Sequence, residues 1–403
     1  MSWGHGNADE RPVAFGSRPT RASSRLLLVT FALASTQLWC ASEDTIAPPK
    51  EDADADGGAP LDAATPDVLA ATPVCTASFC RVSFAGMEAV SIDALWARSP
   101  SDGWLVGATG FAARFDGTTW QRVDTGTKAA LHGVVGTEDG TVWGAGSTHE
   151  LLQLNRELDG KATAVNAGFK AMIDGLSASG SEIYAVGTTI KTYDFPPPET
   201  PPMPDNIWRY GPAADGGAPT WLPASPPCPM GDFEPECVKL RAVWVESSER
   251  QWFAGDEGKV FRTDTSSGGD GEAPGRLRLD ELNSRSLRRL NGLWGFDGND
   301  VWAVGDQGVL RHWNGQGWSV IASPVLGDLH GAWGARPDDV WAVGDDGTVI
   351  HWDGAGWTVI DVPFSADQRP RLRAVTGAGD DVWIAGEGVL LRATRGTSTG
   401  ADR

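Results

Sequence analysis

The sequence predicts an all-β fold: a seven-bladed β-propeller of four-stranded blades, closed by an N-terminal strand that completes the last blade. Three observations carry the prediction. One unit recurs along the chain, most plainly from Leu290 and again from Leu329. An aromatic residue followed three places later by glycine marks every copy. The composition, with 51 Gly and 19 Trp against 3 Tyr, suits tight turns between strands and a core filled by indole rings.

The N-terminal elements read as targeting and tether. Arg11, Arg18, Arg21 and Arg25 precede a short apolar run from Leu26 to Ala34. A basic flank and a short apolar run predict a signal peptide, since a membrane-spanning helix needs about 20 apolar residues. Cys40 ends this region, where bacterial lipoproteins carry their lipidated cysteine. Residues 1–40 are therefore expected to be a lipoprotein-like signal, with cleavage further along by an ordinary signal peptidase as the alternative. Residues 41–73, rich in Ala, Pro and Asp, read as a solvated acidic linker. Asp52, Asp54, Asp56 and Gly57 mimic the start of a calcium loop, but Ala63 stands where its last glutamate belongs. The propeller is expected over 74–396 and a tail over 397–403.

Apart from Cys40, the cysteines fall into two close pairs, Cys75–Cys80 and Cys228–Cys237. Local even pairing predicts disulfides formed in an oxidising compartment. Metal binding would require tighter spacing or nearby histidine, and no His lies near either pair.

The repeats start at Ile92, Leu131, Ile173, Leu240, Leu290, Leu329 and Leu372. Their motif pairs are Trp104/Gly107, Trp143/Gly146, Tyr184/Gly187, Trp252/Gly255, Trp302/Gly305, Trp341/Gly344 and Trp383/Gly386. The sixth unit shows the plan: strand A from Leu329 to Trp333, B from Val340 to Val343, C from Thr348 to Trp352 and D from Trp357 to Asp361. Asp-Gly turns between β-branched and aromatic residues are hairpin signals. The last unit stops after strand C, at Val389 to Thr394, and Phe79 to Phe84 is unpartnered ahead of the first. That segment is expected to supply the missing outer strand and cover the open edge. The third unit carries a Pro-rich insertion (Phe195 to Pro204) and the fourth an insertion at Asp264 to Gly275.

Residues 79–394 resemble the WD40/YVTN/BNR-type propellers of exported bacterial proteins, nearest the sialidase-like branch with Asp boxes. The turns Asp116-Gly117-Thr118-Thr119-Trp120 and Asp353-Gly354-Ala355-Gly356-Trp357 are Asp-box-like, with the glycine directly after the aspartate. The resemblance implies a propeller. A sialidase would further need a three-arginine clamp, a tyrosine nucleophile with a glutamate beside it, and an acid aspartate. Tyr184 occupies the repeated aromatic position instead, and Tyr193 and Tyr210 lie in or beside an insertion. No nucleophile-elbow, zinc-protease or P-loop pattern occurs.

Two repeat positions are polar in otherwise apolar strands. The second residue of strand A is Asp93, His132, Asp174, Arg241, Asn291, His330 or Arg373. These seven are expected to ring the channel mouth, as a ligand site or as a wetted lining. On strand C the repeated residue is Arg114, Gln153, Arg209, Arg262, His312, His351 or Arg392. Structural pairing is expected there, with Asp102, Asp139, Asp300, Asp339 and Asp381 before strand B as partners. The formal charge of −20 argues against a nucleic-acid or polybasic membrane-surface protein. The function expected is a non-enzymatic exported scaffold. It would bind a protein or glycan through one face, as a monomer without cofactor or metal, with a sialidase-like glycoside hydrolase as the alternative.

Overall fold

The computed structural model describes residues 74–147, 150–158, 161–190, 205–212, 217–226, 228, 237–263 and 276–394. Seven four-stranded antiparallel sheets follow one another along the chain. Blades 1 to 6 span 92–122, 131–166, 171–223, 240–283, 290–321 and 329–359; blade 7 joins 372–394 to Cys80–Val82. The signal region with Cys40, the linker, the tail, Tyr193 and both insertions lie outside the described residues. Around the Pro-rich insertion strand C resumes at Ile207–Gly211, and Lys259–Thr263 and Leu279–Asn283 flank the insertion of the fourth unit.

Strand B is the buried spine of each blade. Asp339–Gly344 and Asp381–Gly386 are buried along their whole length, so they read as near-continuous apolar runs. The motif glycine ends this strand for a steric reason. A Cβ on Gly107, Gly146, Gly187, Gly255, Gly305, Gly344 or Gly386 would run into a backbone carbonyl oxygen at the start of strand A. In blades 1, 2 and 4 to 7 that same carbonyl accepts the N–H of the residue after the glycine, at 2.8–3.0 Å.

The motif aromatic joins neighbouring blades. An aromatic residue of strand D meets, edge to face, the strand B tryptophan of the preceding blade: Trp221 on Trp143, Trp318 on Trp252, Trp357 on Trp302, and Trp120 on Trp383. Such pairs add about 0.5–1.5 kcal/mol beyond the area they bury. Blade 2 lacks an aromatic there, and Ala162 packs in the cluster containing Trp104. Nearer the axis, tryptophans fit over glycines of the next strand A: a side chain on Gly136, Gly295 or Gly377 would collide with Trp96, Trp244 or Trp333.

The closing strand obeys the same rule. Cys80–Val82 pairs antiparallel with Val389–Thr394, Arg81 opposite Leu391. Phe79, 1% exposed, takes the strand D aromatic position and meets Trp341 of blade 6 at 5.6 Å and 90°. Disulfides join Cys75 to Cys80 at the start of this strand and Cys228 to Cys237 on the approach to blade 4.

Candidate functional site

Strands A begin and strands B end on one face of the ring, here termed the mouth face. In every blade the register between A and B slips near the start of strand A, between Ile92 and Ala94, Leu131 and Gly133, Ile173 and Gly175, Leu240 and Ala242, Leu290 and Gly292, Leu329 and Gly331, and Leu372 and Ala374. The residue skipped is each time the polar one: Asp93, His132, Asp174, Arg241, Asn291, His330 or Arg373. A β-bulge leaves one residue out of the ladder and re-aims its side chain. Here it does so in all seven blades, which frees a polar group from a strand otherwise packed on its neighbours.

The bulged residues meet around the ring. Asp93 Oδ2 lies 3.1 Å from His132 Nδ1, and Asp93 Oδ1 lies 3.3 Å from Arg373 Nε, which links blades 7, 1 and 2. Ser91 Oγ donates to Asp93 at 2.8 Å, and His132 Nε2 reaches Ser147 Oγ at 2.7 Å. Asn291 Nδ2 donates to the Leu329 carbonyl of blade 6 at 2.9 Å. Burial pushes the Asp93 carboxyl up, but the hydrogen bonds from His132 and Ser91 and the charge of Arg373 outweigh it and hold it below the usual value. His132 and His330 are each engaged with a carboxylate of their own surroundings, and the described residues contain no cluster fit to hold a metal ion.

A second set of groups was not anticipated from the sequence. The residue after the motif glycine is acidic in blades 4 to 7. Arg241 Nε donates to Asp256 at 3.0 Å, Asn291 to Asp306 at 2.9 Å and Arg373 Nη2 to Glu387 at 3.3 Å, while His330 Nε2 lies 2.7 Å from Asp345. Arg289 and Arg371, just before strand A, add contacts to Asp256 and Asp345. The available signal was the run of Asp and Glu directly following Gly255, Gly305, Gly344 and Gly386. The hub is thus closed on itself in six blades.

Blade 3 differs. Thr188 follows its motif glycine, and Asp174 receives no hydrogen bond. The nearest cation, Arg241 Nη1, stands 4.0 Å away and is engaged by Asp256. Burial pushes the Asp174 carboxyl above its ordinary value, and Lys239 and Arg241 offset this only in part.

The loops from strand D to the next strand A rim the mouth face. Leu287 and Leu326 occupy the same place in adjacent loops, three residues before Leu290 and Leu329, and are 92% and 88% exposed. The first loop is held firmly. The buried Arg311 donates to the carbonyls of Ser284, Arg285 and Leu310 at 2.8–2.9 Å, and Arg285 takes a positive φ of 56°. A shallow depression of about 380 Å³ adjoins Leu287, lined by Arg288, Asp306, Gln307 and Asp328.

The strand C residues are structural, and their partners correct the sequence expectation at blade 2. Each lies directly across from the motif aromatic, from Arg114 opposite Trp104 to Arg392 opposite Trp383. Asp102, Asp300, Asp339 and Asp381 pair with Arg114, His312, His351 and Arg392 at 2.7–3.3 Å. Asp139 does not pair this way. Blade 2 offers Gln153 in place of a base, and Asp139 accepts from Thr137 and Thr141 within its own turn. In blade 3 the acid is Glu182, 3.6 Å from Arg209, and in blade 4 the corresponding residue is Arg250. Arg262 there lies over the rings of Trp252 and Trp313 instead. The seam of blades 2 and 3 opens into a groove of about 470 Å³ beside Thr141, Trp143, Gln153 and Tyr210, on the face opposite the mouth. Tyr184 is buried, with its hydroxyl donating to Glu182.

No protein-family model and no curated protein sequence matches the chain. Solved structures match its fold. One titled "YCF48 bound to D1 peptide" is 14% identical with a TM-score of 0.54, over 79% of this chain and 95% of that one. The WD40 propeller domain of Doa1 is 12% identical with a TM-score of 0.54, over 77% and 94%. A catalytically inactive virginiamycin B lyase from Staphylococcus aureus with quinupristin is 11% identical with a TM-score of 0.59, over 78% and 98%. At these identities the likeness is one of fold.

Proposed function

We propose that the chain is a non-enzymatic scaffold that holds another protein against the mouth face of the ring. The observation that carries this reading is the pair of leucines on that rim. Leu287 and Leu326 are nearly fully exposed at matching places of neighbouring loops, and one loop is fixed by a buried arginine. Apolar groups presented on a rigid, polar-rimmed surface are what a protein partner's apolar anchors bury. A sugar would leave them idle, which favours protein over glycan. The hub beneath them spends its acids and bases on one another, so it rigidifies the surface more than it offers reactive groups. A propeller of this fold bound to a peptide, YCF48, is consistent with the reading.

Export is part of the proposal. Its support is the basic flank, the apolar run and Cys40, together with two disulfides that suit an oxidising compartment. A lipid on Cys40 would tether the ring by the acidic linker.

Site-specific photo-crosslinking tests the docking face. A photoreactive residue at Leu287 or Leu326 is expected to give discrete protein adducts in cells that make the chain, whereas one at Val359, exposed on an outer strand, gives none. Adducts of equal yield from all three positions would sink the reading. So would hydrolysis of a sialoside or other glycoside by the purified chain, abolished by Asp93→Asn or Asp174→Asn.

A further inference from the structure

We propose that the groove between blades 2 and 3 is a binding site for a guanidinium group on an aliphatic stem, the side chain of an arginine presented by another protein. It lies on the face opposite the leucine rim and is separate from the docking proposed there. The repeat supplies the template. In blades 4 and 7 the strand C arginine lies over two rings at once, the strand B tryptophan of its own blade and the strand C aromatic of the next. Arg262 covers Trp252 and Trp313 at 5.5 and 5.7 Å, and Arg392 covers Trp383 and Phe115 at 4.9 and 5.5 Å. Trp143 and Tyr210 form the same pair between blades 2 and 3, with centroids 4.8 Å apart. The residue across from Trp143 is Gln153, shorter than arginine and uncharged. The acid has moved as well. Asp102, Glu182, Asp300, Asp339 and Asp381 each stand two residues before the motif aromatic, whereas blade 2 has Thr141 there. The ion pair that closes this end of blades 1, 5, 6 and 7 is therefore missing. In its place a groove of about 470 Å³ opens, lined by Thr141, Trp143, Gln153 and Tyr210, with Asp139 on its wall.

Asp139 supplies the charge. The residue is exposed, and the Thr137 hydroxyl and the Thr141 N–H donate to its Oδ1 at 2.6 and 2.9 Å, which fixes the carboxylate in its turn. The same two hydrogen bonds hold its carboxyl below the usual value, so it is ionised at neutral pH. Among the described residues no base pairs with it. Arg98, the cation whose charge reaches it, is engaged by Asp102 at 3.6 Å and lies over Trp96. A guanidinium suits this setting, because it gives a carboxylate several donors in one plane while lying flat on an aromatic ring. An ammonium is a more strongly hydrated point charge and gains less from the ring. A sugar fits poorly, since the Asn155 amide it would bind is spent on the Gly140 carbonyl and the Val142 N–H. Tyr210, half-buried, is the ring that the groove leaves within reach.

The test uses the full chain and three capped tripeptides, Gly-Arg-Gly, Gly-citrulline-Gly and Gly-Lys-Gly, with binding read by titration calorimetry and by NMR shifts of the Trp143 and Tyr210 rings. The arginine peptide is expected to bind about tenfold more tightly than either other peptide, and about tenfold more weakly to Asp139→Asn. Gln153→Arg gives the chain its own guanidinium over the two rings, as Arg262 and Arg392 do in their blades, and is expected to abolish binding while leaving the chain folded. Leu287→Ala, on the opposite face, is expected to bind as the wild type does. Equal binding of the arginine and citrulline peptides overturns the proposal, and so does unchanged binding to a folded Gln153→Arg. Should that variant fail to fold, Asp139→Asn decides, and unchanged binding to it overturns the proposal equally. A lysine peptide that binds as tightly as the arginine peptide would make the groove a site for any cation and overturn the guanidinium. Agmatine binding more tightly than the arginine peptide would assign the groove to a free guanidine and overturn the protein side chain.

Discussion

Replacing Phe79 by alanine tests how the ring is closed. The side chain is 1% exposed and meets Trp341 edge to face at 5.6 Å, in the cluster that also holds Val349, Val382 and Leu391. Burying a phenylalanine and then deleting it leaves both lost transfer energy and a cavity, about 3–5 kcal/mol together. The alanine cannot refill the space by shifting, because Cys80–Val82 is pinned by its ladder to Val389–Thr394 and by the bridge to Cys75. At about 2 °C of melting temperature per kcal/mol for a domain of this size, the midpoint should fall by about 6–10 °C. Arg81→Ala on the exposed side of the same strand is the reference, and its loss is limited to packing over Phe364. Differential scanning calorimetry of both variants decides the matter, with light scattering to follow association at the uncovered strand. Midpoints for the two variants within about 1 °C of each other would refute closure through this strand.

Two further outcomes follow from the hub and the rim. Asp93→Asn and Asp174→Asn should shift stability in opposite directions at pH 7. The Asp93 carboxyl titrates below its unfolded value, so its contribution is present above the unfolded pKa and is lost as the pH falls through the lower folded value. The Asp174 carboxyl titrates above its unfolded value, so ionising it costs the folded state at pH 7, and the amide removes that cost. Melting curves from pH 7 down to about 3 should show both differences shrinking as carboxylates protonate, and a destabilised Asp174→Asn at pH 7 would contradict this account. Arg311→Met should cost about 2–3 kcal/mol in urea unfolding, because the carbonyls of Ser284 and Arg285 lose a buried donor. Crosslinking from Leu287 should weaken with it, and full retention of both would disprove the pinning role.

Much of the fold was legible because its causes are local. The carbonyl packed against each motif glycine excludes every other side chain, and the strand B aromatic must meet the next blade, so the spacing survives in Tyr184/Gly187 as in Trp302/Gly305. The bulged position was legible as a polar residue in an apolar strand. Its state was not, because the groups that satisfy Arg241, Asn291, His330 and Arg373 stand at the far end of strand B, some 15 residues away in sequence. The strand C pairing was legible where acid and base keep their places. It failed in blade 2, where Asp139 is used by its own turn, and it was silent for blades 3 and 4, where Glu182 and Arg250 stand before strand B. Leu287 and Leu326 looked like ordinary loop residues, since exposure is a property of the folded rim.

The closing strand also sets an order of events during synthesis. Among the described strands, residues 80–82 leave the ribosome first, yet their partner at 389–394 is made last. Until it emerges, the earliest hydrogen-bonding edge has nothing of its own to pair with, and six blades must be completed in the meantime. The ring therefore stays open until the seventh blade is made, and its closure waits on that blade.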